Sequence, residues 1–527
     1  MICFLCSVIV FPLINIIVSI KPSDIINVFS STILKQAMFN TVIECICSSV
    51  LSVLTGFLYA YAVVKTNIPF KKFFSIIPVI HLMTPPFVGG LSFILLLGRH
   101  GFITDTLLGL DVSLYGFWGL LIAQVLCFFP LAYLICLQTL RGINTNLERA
   151  AQSLGASKTK IFFTVTLPLC KTGILSALLF IAVSVLSDFG NPMIVAGRFR
   201  VLAVEIYTQL TGWLKTGTSA FLGVLLLIPS FLLFAAQNHI LKKAGTNYST
   251  IGSRNFFSES KKFSVKKITF SDILFFIFIS SISLIILAQF CAIVAGSFQK
   301  LWGINTSFTT EHIKAAFLYT KELRNSIIFS ISAAFLSTVI AILTSFFVHR
   351  TSLPLKKMLD SFIQVPGAVP GSLFGLAISL TAAKFHITDS SLLIILAMTI
   401  GFLPFSYRVI TSVYSQIHTS MDNASSSLGG SPLQTLRSII LPLSSDGVFS
   451  GFLYSFIRAM GTVSAVIFLV SFNTPLASVK ILNLAEEGFW GKAASLATLL
   501  TLTAFLILAV AMLLLQIIRG VKKWKTN

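Results

Sequence analysis

Apolar segments long enough to cross a membrane recur along the whole of this 527-residue sequence. A transmembrane helix needs about 20 consecutive apolar residues, whereas a transmembrane strand needs only about 10. The segments have the length of helices, which satisfy all their backbone hydrogen bonds internally. Twelve spans are predicted, at residues 2–20, 38–64, 73–97, 114–140, 172–196, 218–241, 272–297, 325–349, 357–381, 388–411, 446–472 and 493–518.

The composition excludes a soluble protein. Hydrophobic residues make up 55% of the chain and charged residues 10%, whereas soluble domains carry about 25% charged residues. The net charge of +21 could indicate a nucleic-acid partner, but the basic residues lie in short loops between apolar segments. Pairs such as Lys71-Lys72 and Lys242-Lys243 fall on one side, as the positive-inside rule requires of the cytoplasmic face. We therefore predict cytoplasmic N- and C-termini, a lipid environment and no nucleic acid.

Two further features lack the parts that would make them functional signals. Residues 1–20 have neither a basic n-region nor a small-residue cleavage site, so a first spanning helix is expected there rather than a secretory signal. Cys3-x-x-Cys6 and Cys45-x-Cys47 have metal-ligand spacings, but no second cluster completes four ligands. The cysteines are expected to be small buried hydrophobes, and no metal site is predicted.

The two halves of the chain are similar to each other. The segment that begins at Asn40 returns 285 residues later at Asn325, and the segment that begins at Ala150 returns 274 residues later at Ala424. Six predicted spans in each half are an even number, so both halves enter the membrane from the same side as a parallel repeat. The sequence predicts an all-α integral membrane protein with a first half at 1–241, a polar cytoplasmic linker at 242–271 and a second half at 272–527.

A polar loop follows the fourth predicted span of each half, at residues 148–168 and 422–442, and we call these the repeated loops. In the first, Glu148 opens a short helix, Gly155 permits a turn, Ser157 caps a second helix and Pro168 starts the next span. Small residues leave a flat face that suits docking into a groove on a partner, although amphipathic connecting helices would look similar. The second loop has the corresponding residues Asp422, Gly429, Ser431 and Pro442.

The spacing within both repeated loops resembles the EAA loop of binding-protein-dependent ATP-binding-cassette importer permeases. In that family the loop docks on a nucleotide-binding subunit, so the resemblance implies two cytoplasmic ATPase partners. The Glu that names the loop falls at Arg149 and Asn423, and the acids stand one position earlier, at Glu148 and Asp422. The residues that carry the resemblance are Ala150, Ala151, Gly155, Val165, Leu167 and Pro168 in the first loop, and Ala424, Ser425, Gly429, Ile439, Leu441 and Pro442 in the second.

Three further segments, at residues 186–190, 365–375 and 458–471, make nearly the whole chain similar to fused ferric iron permeases of this type. The resemblance implies the bacterial inner membrane, a periplasmic binding protein that delivers ferric iron, and ATP with Mg bound by the partner ATPase. This chain would bind no cofactor and catalyse nothing, and its sequence contains no phosphate-binding loop. Permeases for thiamine, phosphonates or polyamines share much of the pattern. An ion-coupled secondary transporter is the alternative from another class.

Charges and helix breaks within the predicted spans indicate a pathway. Asp188 and Arg458 lie in equivalent fifth spans, and they could line a pore or gate, or form a structural ion pair. Glu44 lies near the predicted outer end of its span and is expected to reach water. Prolines and glycines interrupt the third and ninth spans, which is tolerated where protein or a cavity satisfies the backbone. The candidate pathway residues are Ser187, Asp188, Gly190, Pro366, Gly367, Pro370, Gly371, Arg458, Gly461 and Thr462.

Overall fold

The computed structural model describes residues 5–82, 84–109, 114–243, 269–351 and 354–525. Most of the predicted linker, at 244–268, and Cys3 lie outside these ranges. The described chain is helical apart from one antiparallel hairpin, in which β1 (Gln299–Leu301) pairs with β2 (Asn305–Phe308).

The first half consists of long helices joined by short ones. Its α-helices are α1 (Phe11–Val18), α2 (Pro22–Ser30), α3 (Thr32–Lys65), α4 (Lys71–Leu82), α5 (Pro86–Leu97), α6 (Phe117–Gly142), α7 (Thr145–Ser153), α8 (Lys158–Ile161), α9 (Leu167–Leu186), α10 (Gly190–Val195), α11 (Leu202–Tyr207) and α12 (Thr216–Lys243). Its π-helical turns are Cys6–Val10, Phe102–Leu107, Phe162–Thr166 and Thr208–Gly212.

The second half follows the same plan. Its α-helices are α13 (Phe270–Gly296), α14 (Glu311–Ala316), α15 (Thr320–Arg350), α16 (Lys356–Gln364), α17 (Gly371–Lys384), α18 (Ser390–Tyr414), α19 (Ser420–Ser427), α20 (Pro432–Thr435), α21 (Leu441–Leu443), α22 (Ser445–Met460), α23 (Ala477–Glu486) and α24 (Trp490–Lys525). A π-helical turn lies at Leu436–Ile440, and 3-10 turns lie at Phe317–Tyr319 and Val365–Ala368.

The predicted all-helical membrane fold is confirmed. Eight helices in the described ranges are long and apolar enough to cross a membrane, and up to eleven spans result if each sharply bent helix pair counts as one. The third predicted span is two helices, α4 and α5, of 12 residues each, with Pro85 as the N-cap of the second. The ninth bends by 105° between Ala368 and Gly371. The predicted interruptions of both spans are therefore confirmed.

The fifth and eleventh predicted spans end earlier than their apolar composition indicates. α9 ends at Leu186 rather than near 196, and α22 ends at Met460 rather than near 472. After α9 the chain turns because the Asp188 carboxylate, through Oδ1, accepts a hydrogen bond from the backbone N–H of Asn191 at 3.4 Å. Hydropathy reports that these segments are buried, but it does not report where a helix stops.

The first helix of each half packs against the other half. α1 contacts α17, where Asn15 Nδ2 donates to Thr381 Oγ1 at 3.3 Å. α13 contacts α5, and just beyond α13 Trp302 Nε1 donates to the Leu95 carbonyl at 2.8 Å. The core of the first half is formed by α3, α6 and α9, and the core of the second by α15, α18 and α22. This exchange of peripheral helices ties the halves together on both sides of their interface.

Candidate functional site

The first repeated loop has the predicted helix, turn and helix, with two differences. α7 begins at Thr145 rather than at Glu148, because the side chain of Asn144 accepts a hydrogen bond from the Asn146 N–H at 3.0 Å and caps the helix earlier. Pro168 does not begin a separate helix. The chain from Lys158 to Leu186 forms one continuous helical segment, with a π-helical turn just before α9. Pro168 lies in the first turn of α9, directly after that π-helical turn.

The turns and caps of the loop are as the sequence predicts. Gly155 has a φ of +81° and Gly429 a φ of +79°, both in the left-handed region that favours glycine. Ser157 Oγ accepts from the Lys160 N–H at 3.3 Å, and Ser431 Oγ accepts from the Gln434 N–H at the same distance. The π-helical turns Phe162–Thr166 and Leu436–Ile440 also lie at the repeat offset of 274 residues. The two repeated loops therefore share a backbone design as far as these turns, but after the second loop the helix bends by 78° between Leu443 and Ser445, whereas after the first it continues.

Each repeated loop is fastened to its own half by an equivalent ion pair. Lys65 Nζ lies 2.6 Å from Glu148 Oε2, and Arg350 Nη1 lies 2.5 Å from Asp422 Oδ2. Lys65 and Arg350 are the last residues of α3 and α15, and they occupy the same position in the repeat. The acids that stand one residue before the expected Glu are thus partly buried and turned towards their own half.

The two ion pairs are not identical. Glu148 Oε1 also accepts a hydrogen bond from Thr166 Oγ1 at 2.8 Å. Arg350 is almost completely buried and additionally donates to the carbonyls at the end of α18, at 2.5 Å to Tyr414 and 2.6 Å to Ile417. The arginine therefore fixes three chain segments at once, whereas the lysine fixes one carboxylate.

The outward face of each repeated loop exposes one leucine among small and polar residues. Leu154 and Leu428, at equivalent positions just before the glycines, are each 88% exposed. Of the predicted docking residues, the exposed ones are Arg149, Ala150, Gly155, Pro168, Asn423, Ala424, Gly429 and Pro442. The half-buried ones are Glu148, Ala151, Leu167, Asp422, Ser425 and Leu441. Each loop thus leaves a large apolar side chain uncovered at the same position of the repeat.

A cavity of about 210 Å³ lies between the two halves. Nine of the ten candidate pathway residues line it, and the tenth, Pro370, is the N-cap of α17 beside it. Aromatic side chains form much of the remaining wall. The candidate residues that line the cavity are Ser187, Asp188, Gly190, Pro366, Gly367, Gly371, Arg458, Gly461 and Thr462.

Equivalent positions of the repeat face each other across this cavity, but their chemistry differs. The single carboxylate and the single guanidinium of the wall each correspond to an uncharged residue in the other half. These positions are therefore equivalent in the repeat and different in charge. The equivalent pairs are Phe128 and Phe402, Ser184 and Arg458, Ser187 and Gly461, Asp188 and Thr462, Phe189 and Val463, and Gly190 and Ser464.

Asp188 belongs to a buried hydrogen-bond network centred on Gln124. One amide group, Gln124 Nε2, donates to Glu44 Oε1 at 2.5 Å and to Asp188 Oδ2 at 3.1 Å. Asn191 Nδ2 donates to the same Asp188 oxygen at 2.9 Å, and Ser48 Oγ donates to Gln124 Oε1 at 2.7 Å. The two hydrogens of one amide can serve two carboxylates, so both acids are bonded without an ion pair.

The expectation that Glu44 reaches water is wrong. Glu44 is only 4% exposed, because α3 begins at Thr32 and places Glu44 more than three turns inside the helix. Gln124 was missed, although an amide in an otherwise apolar span is a signal of interhelical bonding. Lys65 and Arg350 were also missed, because their partners lie 83 and 72 residues away in sequence.

Arg458 makes no ion pair with Asp188. No contact within 4.0 Å joins the two side chains, and Arg458 has no hydrogen-bond partner anywhere in the ranges that the structure describes. Its side chain lines the large cavity and also a smaller one beside His81 and Cys127.

Among the described residues, no group of three His, Cys, Asp or Glu side chains is placed to hold a metal ion.

Two similar helical halves, a cavity between them and paired loops at one end define a transport permease of the membrane. The sequence matches the family described as "Binding-protein-dependent transport system inner membrane component" over residues 52–245 and 269–521. The chain belongs to this family. It is a fused, multi-pass permease of an ATP-binding-cassette importer, and not an enzyme.

Two relatives match over most of the chain. The "Ferric transport system permease protein FbpB" of Actinobacillus pleuropneumoniae is 32% identical over 476 residues, which are 86% of this chain and 68% of the relative. The "Putative ferric transport system permease protein FbpB 1" of Haemophilus influenzae is 30% identical over 493 residues, 88% of this chain and 76% of the relative. A solved bacterial alginate ABC transporter, in complex with a periplasmic protein, matches with a TM-score of 0.41 and 17% identity over 46% of this chain and 91% of that chain.

Proposed function

We propose that this permease carries ferric iron across the inner membrane, driven by two cytoplasmic ATPases and supplied by a periplasmic binding protein. The observation that carries the ATP-driven part is the pair of repeated loops, each with an outward leucine and an inward ion pair. The names of the relatives that match over 86% and 88% of the chain support iron as the cargo. ATP and Mg are bound by the partner ATPases in this proposal.

A continuous route leads from the first repeated loop to the cavity. The loop is joined through Glu148 to Lys65 at one end of α3, and Glu44 of the same helix is joined through Gln124 to Asp188 in the cavity wall. Rigid helices and hydrogen-bond networks can transmit energetic coupling between two distant sites, here the docking loop and the cavity. When the ATPases close on ATP, they push both repeated loops, and the cavity turns towards the periplasm to receive cargo. Hydrolysis of the ATP returns the cavity to its starting orientation.

Both termini and both repeated loops face the cytoplasm in this proposal. The excess of Lys and Arg in the loops on that side supports the orientation. The residue ranges 1–241 and 272–527 would then be the two permease halves, joined by a linker on the side of the ATPases.

Iron would pass without a tight resting site. Ferric iron is a hard cation that prefers oxygen ligands. The cavity wall offers one carboxylate, and amide groups already occupy it. Selective, tight recognition is therefore assigned to the binding protein, and the permease provides a passage.

The other cargoes that the sequence left open are not favoured. A molybdenum transport permease, ModB of Escherichia coli, is 30% identical, but over 159 residues that make up 29% of this chain. Thiamine, phosphonate and polyamine permeases do not account for the long matches to ferric permeases. An ion-coupled secondary transporter is not favoured either, since it has no use for paired loops of the importer family.

The proposal is tested by deleting the gene in a strain that lacks other ferric importers. Uptake of radioactive ferric iron should be lost and should return when the wild-type chain is expressed. A variant with Leu154→Asp and Leu428→Asp should reach the membrane without restoring uptake. Iron uptake that survives the deletion would reject ferric iron as the cargo.

A further inference from the structure

The polar groups of the cavity between the halves are unequally satisfied. Asp188 accepts hydrogen bonds from Gln124 and from both the side chain and the backbone of Asn191. The hydroxyls of Ser184 and Ser187 donate to carbonyls of their own helix, each at 2.9 Å. The acceptor capacity of the carboxylate and the donors of the two serines are thus largely used within the first half.

Among the described residues that line the cavity, Arg458 is the charged group that makes no such hydrogen bond. It lines the cavity as a side chain of α22, and none of its five N–H donors has a partner in the described chain. A guanidinium stays charged at any pH a cell experiences, and a charge within the membrane is retained where it faces a cavity or a partner. Its counterpart in the repeat is the uncharged Ser184, so the charge is not required by the fold of the repeat.

We propose that this cavity binds an oxyanion, a carboxylate or a phosphate, on Arg458, and that ferric iron crosses as a complex with such an anion rather than as a bare ion. The planar fork of a guanidinium matches the paired oxygens of both groups. The Asp188 carboxyl in the same wall already accepts hydrogen bonds from Gln124 and Asn191, so the guanidinium is the charged group there with donors left to offer. An oxyanion bound to the metal presents oxygens to those donors, which a bare ion does not. The cavity of about 210 Å³ also has room for several water-sized groups around a metal ion.

The part that concerns iron rests on the proposed function, whereas the anion site stands on the geometry alone. The full-length chain is reconstituted in nanodiscs without iron, ATPase or binding protein. Binding of radiolabelled inorganic phosphate and of citrate is measured separately by equilibrium dialysis. The two measurements distinguish phosphate from a carboxylate as the anion that would accompany the metal.

Saturable binding of at least one anion is expected for the wild-type chain. Arg458→Gln should weaken it about ten-fold or more, because a charge-assisted hydrogen bond is lost. Arg458→Lys keeps the charge without the fork, so it should retain weaker binding. Arg324→Gln removes the same charge from an exposed position near the start of α15, outside both the cavity and the repeated loops, and should bind as the wild type does.

Absence of saturable binding of both anions, or equal binding by the wild type and Arg458→Gln, would overturn the inference. Thermal unfolding of each nanodisc sample verifies folding, and Arg458→Lys decides the question if Arg458→Gln does not fold. If iron uptake survives deletion of the gene while the purified chain still binds an anion, ferric iron is rejected as the cargo and the anion site stands. Iron uptake that depends on the gene, together with no anion binding, would reject this inference only.

Discussion

Glu148 Oε2 accepts a hydrogen bond from Lys65 Nζ at 2.6 Å, and this contact joins the first repeated loop to the end of α3. The equivalent contact between Asp422 and Arg350 joins the second loop to the end of α15. The residues that depart from the expected Glu of the loop, Arg149 and Asn423, are exposed beside them. The two acids therefore anchor each loop to its own half, while Arg149 and Asn423 are left exposed.

Exchanging the charges of the first ion pair tests this anchor. Lys65→Glu or Glu148→Lys alone should lower ATP-driven uptake, since each places like charges together at a partly buried site. The double variant should recover part of the loss, with a coupling energy of about 1 kcal/mol. Recovery is expected to be partial because Thr166 donates a hydrogen bond to the carboxylate of Glu148, and the lysine of the double variant cannot accept it. Uptake is compared at equal membrane amounts, and a double variant no better than the worse single one would contradict the pairing.

Replacing the turn glycines tests whether the loop conformation carries the coupling. Gly155→Val and Gly429→Val should uncouple ATP hydrolysis from uptake without preventing membrane insertion. A β-carbon added at either glycine would meet no atom within 4 Å, so the effect is conformational rather than steric. The left-handed conformation costs other residues about 1–2 kcal/mol, roughly a ten-fold smaller native population.

The matched controls are Gly155→Asn and Gly429→Asn, because asparagine tolerates the left-handed region. They should retain most of the uptake. If the valine variants transport as well as the asparagine variants, the loop turns are not required for coupling.

The exposed leucines provide a test of docking itself. Leu154→Asp and Leu428→Asp should abolish copurification of the ATPase, because a charge would be forced into the contact. Leu318, 81% exposed at the opposite end of α15 from Arg350, is the control. Leu318→Asp should leave copurification unchanged. Equal copurification with all three variants would mean that the ATPase docks elsewhere.

Gln124→Leu should destabilise the permease strongly. It removes the amide between two buried carboxylates, which we expect to cost about 3 kcal/mol. Gln289, equally buried in α13, is the matched control, since its side-chain oxygen has no hydrogen-bond partner. Gln289→Leu should be neutral. The two variants are compared by thermal unfolding in detergent, and equal midpoints would show that the Gln124 network contributes no stability.

The parts that the sequence predicted best are local or repeated. The Gly155 and Gly429 turns and the Ser157 and Ser431 caps depend on a few neighbouring residues, and each feature occurs in both halves. The breaks before α5 and α17 follow from prolines in the same way. These predictions were specific because the same residue pattern occurs in both halves of the chain.

The parts that the sequence did not predict depend on distant partners. At the early end of α9 the carboxylate of Asp188 accepts a hydrogen bond from the backbone N–H of Asn191, which hydropathy does not register. The position of Glu44 depended on a helix start at Thr32 that polar residues concealed. Lys65 looked like a loop charge because its partner lies 83 residues away. The pathway and docking residues remain predictions of role, although the structure brings them together.

The most direct measurement is transport of radioactive ferric iron into proteoliposomes that contain this chain, its ATPase and the iron-loaded binding protein. ATP and Mg are supplied on the side of the repeated loops. Uptake should require all three proteins and hydrolysable ATP, and it should stop when any one is omitted. Iron that enters vesicles containing this chain alone, without ATP, would contradict an importer driven through its repeated loops.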